Sequence, residues 1–247
     1  MSEAAISPYA LVVYFSNLGT MLGAGVQLLR SLHALSEALE DERLREVNAR
    51  LAEAVEAGKT LSQAMCDHPD VFSTVAVYMV RAGEVGGVLD VTAERLAQYL
   101  REDLELREWL FLRAELARLR SATTGEEAER RVHEALARAE ARLSEILFCR
   151  AFGLMLASGV PVLRAVDSAA EVYPPDVAEP IRRAARALAN GERLTDSLRK
   201  LRVFSVTTLE LFWVGEETGQ LDFMASKAAD LLETQAACTV REALAPD

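Results

Sequence analysis

Apolar residues recur at helical spacing in stretch after stretch of this chain. From Ala4 to Leu29 no charged residue occurs, a span long enough to cross a bilayer, where about 20 apolar residues suffice. Pro8, Ser16, Asn17, Thr20 and three glycines interrupt it, and no basic cluster precedes it as a signal peptide requires. The chain turns at Gly25. Leu28, Leu29, Leu32, Leu35 and Leu39 then stripe a second helix over 26–39. Leu44, Val47, Leu51, Ala54 and Val55 recur at three and four in a third helix over 42–57, with Asp41 as its N-cap. Thr60 with Gln63 forms a capping box for a short fourth helix, Phe72 anchors the following turn, and Ser73 caps a fifth.

The pattern then repeats. Residues 18–30, LGTMLGAGVQLLR, match 152–164, FGLMLASGVPVLR. Gly58, Leu61 and Met65 answer Gly191, Leu194 and Leu198, and Phe72-Ser73 answers Phe204-Ser205. The offset between the copies drifts only by single residues, and only in connecting turns. Two copies of one helical module, each large enough to close its own core, are the economical reading. The position of Ser16 is taken in copy two by Arg150, in mid-helix, so a shared mode of packing puts neither helix in lipid. Gly19/Gly23 and Gly153/Ala157 are small residues four apart, read as helix packing rather than membrane dimerisation. Gly25 and Gly159 belong to the same small-residue set.

The best-kept stretch is an elbow between helices. Residues 83–90 read GEVGGVLD and 215–222 read GEETGQLD, so Gly83, Glu84, Gly87, Leu89 and Asp90 coincide with Gly215, Glu216, Gly219, Leu221 and Asp222. Each copy closes an apolar run (75–80; 209–214) and opens another. The first glycine lets neighbouring backbone come close, and the last takes the left-handed turn between helices. The glutamate is placed to receive N–H groups from the start of the following helix. A capping carboxylate that fixes the elbow is favoured over a general base or metal ligand, because no partner acid recurs in both copies.

Residues 101–143 are densely charged, and no segment there could cross a bilayer. Leu104, Leu110 and Leu116 on one arm, and Val132, Leu136, Ala139, Leu143 and Ile146 on the other, predict a long helical hairpin. Thr124 and Glu127 would form a capping box at its bend. Trp109 with Leu110 to Leu112 reads as an apolar cluster packed on a bundle rather than a partner or membrane contact.

Composition narrows the function. The net charge is −11 without a basic block, which repels phosphate backbones and argues against a nucleic-acid partner. Cys66, Cys149 and Cys238 lie far apart and fit free thiols in a reducing compartment. Gly58-Lys59-Thr60 has the tail of a phosphate-binding loop, but the position five before Gly58 is Glu53, inside a helix, and copy two has Gly191-Glu192-Arg193. His33, His68 and His133 are not at metal-ligand spacing. These features predict no catalytic, cofactor or metal residue.

The order LxxMLxxGVxLLR, AGKTLSQAM, a DVF turn and the GExGGxLD elbow resembles the type II secretion system F domain. That domain occurs twice in the inner-membrane platform proteins of type II secretion and type IV pilus assembly. The resemblance covers roughly Ser7 to Leu104 and Glu145 to Leu244. It implies a non-enzymatic scaffold that contacts a cytoplasmic assembly ATPase and inner-membrane components. Such platform proteins carry a transmembrane helix after the first F domain and another after the second. Here the charged hairpin stands in the first place, and no span occurs before Asp247.

The expected architecture is all-α, with a bundle of about six helices over 1–104, a hairpin over 105–144 and a second bundle over 145–247. The expected location is cytoplasmic, or peripheral at the inner membrane, with self-association through F-domain faces. Two other readings stand beside it: a soluble diverged adaptor, and a helical-bundle enzyme or ligand sensor unrelated to secretion.

Overall fold

The computed structural model describes the backbone of residues 6–121 and 126–243. These residues form α-helices and two short 3₁₀ turns, with no strand among them. The all-α expectation holds. The chain divides into two compact units, Met1–Leu104 with Ser158–Val160, and Glu105–Ala157 with Pro161–Asp247.

The first unit holds α1 (Pro8–Gly23), α2 (Leu28–Ala38), α3 (Glu42–Glu56), α4 (Leu61–Met65), α5 (Thr74–Gly86) and the first part of α6 (Leu89–Ser121). Its caps are those the sequence predicts. Asp41 accepts from Leu44 N–H and Ser73 from Ala76 N–H, and both halves of the Thr60/Gln63 box form. Gly58 (φ 92°) ends α3, so the GKT triplet is a helix boundary. Phe15, Leu18, Leu32, Leu35, Leu44, Leu51, Leu61 and Met79 are buried. Within this core the Tyr14 hydroxyl donates to Asn48 Oδ1 at 3.0 Å, and the Asn48 amide donates to Leu32 O and Ser36 Oγ, both at 2.7 Å. Both N–H donors and the oxygen of the amide are thereby engaged, as a buried polar group requires.

The second unit holds the rest of α6, α7 (Glu126–Ala157), α8 (Val162–Ala169), α9 (Pro175–Arg186), α10 (Leu194–Arg199), α11 (Val206–Thr218) and α12 (Leu221–Ala243). Its core is more aromatic. Phe148, which takes the place of Tyr14, packs on Phe204 (centroids 4.9 Å), Phe152 (5.7 Å) and Tyr173 (6.1 Å). The first one-residue loss in the repeat offset falls in a stretch where two 3₁₀ turns, Ala170–Val172 and Ala187–Asn190, flank α9. A 3₁₀ turn rises about 2.0 Å per residue against 1.5 Å in an α-helix, so it covers the same distance with fewer residues.

Several expectations need correction. The elbow motif does not begin where its helices end, because α5 and α11 continue through Glu84 and Glu216 to Gly86 and Thr218. The hairpin arms are not separate elements, since positions 104 and 145 lie inside the continuous helices α6 and α7. Leu112 is 61% exposed rather than packed. The Thr124–Glu127 box and the side chains of Leu110 and His133 lie outside the described residues. Among the described residues no helix is long and apolar enough to cross a membrane. Cys66 and Cys238 are exposed and Cys149 is buried, and none forms a disulfide.

Candidate functional site: the two elbows

Each elbow is built from a glycine that must be small. A methyl group on Gly83 would lie 2.0 Å from Thr92 Oγ1 and 3.0 Å from Leu89 Cα. One on Gly215 would lie 2.8 Å from Leu221 Cα. The returning helix thus crosses directly over the glycine. Four residues later Gly87 (φ 67°) and Gly219 (φ 70°) take the left-handed conformation that ends the helix. Val88 N–H and Gln220 N–H then donate back to Gly83 O and Gly215 O, each at 2.9 Å. Leu89 and Leu221, half-buried, open the return helices, and Asp90 and Asp222 fall in their first turns, where the helix dipole favours a carboxylate.

The glutamates do not bond forward, as the sequence suggests, but back to an earlier helix. Glu84 accepts from Leu61 N–H (2.5 Å), from Ser62 N–H (3.3 Å) and from the Ser62 hydroxyl (2.6 Å). Glu216 accepts from Leu194 N–H (2.7 Å), from Thr195 N–H (3.0 Å) and from the Thr195 hydroxyl. The reason is the length of α5 and α11: with the glutamate still helical, its side chain projects toward the neighbouring element instead of round the bend. It supplies the first N–H groups of α4 and α10 with the acceptor that no i−4 carbonyl provides. Ser62 and Thr195 escaped the sequence reading, although both are hydroxyl residues one position after matched leucines.

The first helix of each repeat, α1 and α7, meets the same place. A methyl on Gly19 would lie 3.1 Å from Asp90 O and 3.0 Å from Glu94 N, and one on Gly153 2.9 Å from Asp222 O and 3.0 Å from Ser226 N. Gly19 and Gly153 are the close approaches of the two small-residue pairs. Gly23 meets nothing within 4 Å, and Ala157 is exposed. Gly25 (φ 82°) and Gly159 (φ 81°) serve the turns that follow, with open space around them. The first helix crosses at Gly19 and Gly153, and four residues on it has already diverged. Each elbow therefore joins four helices: α1, α4, α5 and α6 in one unit, and α7, α10, α11 and α12 in the other.

One further carboxylate belongs to the second unit alone. Glu145, buried on α7, accepts from Ser205 N–H and the Thr208 hydroxyl, each at 2.6 Å. The matching position in copy one is Leu11. Comparing copies for agreement passes over such a residue, since it is a difference between them. Burial pushes the thiol of Cys149, one turn further along α7, well above its ordinary value, and the Glu145 charge adds to the effect. Both effects disfavour the thiolate.

The carboxylates of Glu84 and Glu216 are bonded to helix N–H groups and hydroxyls, and among the described residues no three His, Cys, Asp or Glu side chains are grouped to hold a metal ion. Fold and site together define a tandem helical-repeat protein whose repeated motif sets the geometry of each repeat. The sequence profile of type II secretion system protein F matches residues 14–122 and 148–245, and the chain belongs to that family. It is 28% identical to a type II secretion system protein F of Xanthomonas campestris, over 96% of this chain and 76% of that protein. It is also 28% identical to the type IV pilus assembly protein PilC of Thermus thermophilus (91% and 73%) and 22% identical to that of Myxococcus xanthus (91% and 71%). Residues 123–147, with most of the second hairpin arm and Glu145, lie between the two matched segments.

Proposed function

We propose that this protein is a non-enzymatic platform-type scaffold of a type II secretion or type IV pilus assembly system. It works through protein contacts with the cytoplasmic assembly ATPase and with inner-membrane components, from the cytoplasmic side or at the membrane surface. The observation that carries the reading is the repeated elbow. The residues that recur in both copies are spent on holding four helices at one point, which is what a scaffold that presents surfaces must keep. Family membership supports the system, and the placement of both repeated glutamates on helix amides supports a structural rather than a chemical role for them.

The test is affinity capture by the purified chain of the assembly ATPase and inner-membrane components encoded in the same genome. Recovery of the ATPase or a membrane component in stoichiometric amounts is the expected result. If neither is retained above a control column, the chain shares the family's fold without the platform role.

A further inference from the structure

The two copies differ in the outer face of the first helix. Tyr9, Val13 and Asn17 lie one turn apart on α1, and Tyr9 and Val13 are 48% and 52% exposed. The matching positions of Val13 and Asn17 in the second copy are Leu147 and Ala151, which are 2% and 0% exposed. At Val13 and Asn17, then, the first copy is open where the second is buried. In the first unit this face forms one wall of a groove of about 610 Å³, whose other side is Leu35, Ala38 and Leu39 near the end of α2. Leu35 and Leu39 are buried and make an apolar floor. The hydrogen bond from Ser7 N–H to Asp41 Oδ2 (3.2 Å) ties the start of α1 to the α2–α3 turn and closes one end.

Charge decides what fits. The α1 wall belongs to the stretch without a charged residue, and the lining contains no Lys or Arg, whereas Glu40 and Asp41 stand at the rim. Asp41 is held by Ser7 N–H and Leu44 N–H, and Arg45, outside the lining, donates to Leu39 O and Glu40 O, which leaves the Glu40 carboxylate as the acidic group for a partner. From this we infer that the α1–α2 groove of the first unit is a docking site for an amphipathic helix of a partner protein, one that presents apolar anchors at i, i+4 and i+7 and carries Lys or Arg beside them. The stretch from Tyr9 to Asn17 runs about 12 Å, roughly two helical turns, which matches anchors spread over i, i+4 and i+7. A second copy of the chain is a poor occupant, because two chains of net charge −11 would bring acidic rims together.

A labelled peptide of about four helical turns, built only of Leu and Lys with Leu at i, i+3, i+4 and i+7, tests this against the full chain by fluorescence anisotropy. Saturable binding is expected, with little binding of the counterpart that has Glu for every Lys. Val13→Glu is expected to weaken the Lys peptide by at least about tenfold, although unspecific attraction to an acidic protein would strengthen with the added charge. Asn17→Glu should act in the same direction. Val206→Glu, on the second unit at a residue 75% exposed, should change nothing, and all three variants should keep the wild-type helicity. The inference is overturned if Val13→Glu and Asn17→Glu leave binding unchanged or tighter, if the Glu peptide binds equally, or if no saturable binding occurs. It is equally overturned if sedimentation shows that Val13→Glu breaks a dimer of the chain, which would assign the groove to a second copy. None of these outcomes depends on whether the ATPase is captured.

Discussion

Replacing Glu216 by alanine is expected to destabilise the second unit by about 3 kcal/mol, and Glu84→Ala to cost the first unit about 1 kcal/mol less. Hydrogen bonds to a charged group contribute roughly 1.5–3 kcal/mol each, and a buried donor left without an acceptor costs about 1–3 kcal/mol. Glu216 serves Leu194 N–H, Thr195 N–H and the Thr195 hydroxyl, and Leu194 and Thr195 are fully buried. Helix α10 has no other help at its start, because its N-cap residue Arg193 makes no side-chain cap and instead pairs with Glu217. Helix α4 keeps its Thr60/Gln63 capping box when Glu84 is lost, and the Ser62 hydroxyl keeps Thr60 Oγ1 at 3.1 Å. Glu216→Gln should recover only part of the loss, since an amide presents one acceptor and turns its own donors toward N–H groups. Urea unfolding followed at peptide level by hydrogen exchange separates the two units. Equal losses, or a larger loss for Glu84→Ala, would show that the carboxylates do not hold these helix starts.

The second large effect is steric. Gly215→Ala is expected to cost about 3 kcal/mol, because the new methyl falls 2.8 Å from Leu221 Cα and 3.1 Å from Met224 Cβ. Relief requires the return helix to move away from α11 rather than a side chain to rotate, which puts it at the severe end of overpacking. Gly219→Ala meets no atom within 4 Å and carries only the strain of a left-handed backbone, about 1–2 kcal/mol. Gly23→Ala, in the last turn of α1 with open space around it, should be neutral or stabilising by a few tenths of a kcal/mol. Thermal unfolding of the three variants gives the order directly. A Gly215→Ala variant as stable as Gly219→Ala would mean that the close crossing does not exist.

Much of this was legible because the chain states its plan twice. The roles of Gly83, Gly87, Gly215 and Gly219 follow from small residues fixed at matching places, and each has the close approach or positive φ expected of it. The caps at Asp41, Thr60 and Ser73 are local devices and can be read locally. The acceptor role of Glu84 and Glu216 was legible, but not the direction, because 22 and 21 residues separate each glutamate from the hydroxyl residue it binds. Only the tertiary fold brings α4 to α5. Gly23 differs for another reason: small residues four apart mark a face that could be crossed, and a methyl on Gly23 would meet no atom within 4 Å. Glu145 and the open face at Val13 and Asn17 are departures from the repeat, and only burial distinguishes such a departure from drift.

The fastening of each unit at its elbow is tested most directly by residue-resolved hydrogen exchange of the amides of Leu61, Ser62, Leu194 and Thr195 in the wild-type chain. These amides open short helices and have no carbonyl one turn back, so without the glutamates they would exchange as fast as those of Leu28 and Leu29, at the uncapped start of α2. The expected result is protection of all four approaching that of core amides such as Met79 and Phe212. Exchange at the rate of Leu28 and Leu29 would contradict the elbow as the point on which each unit is held.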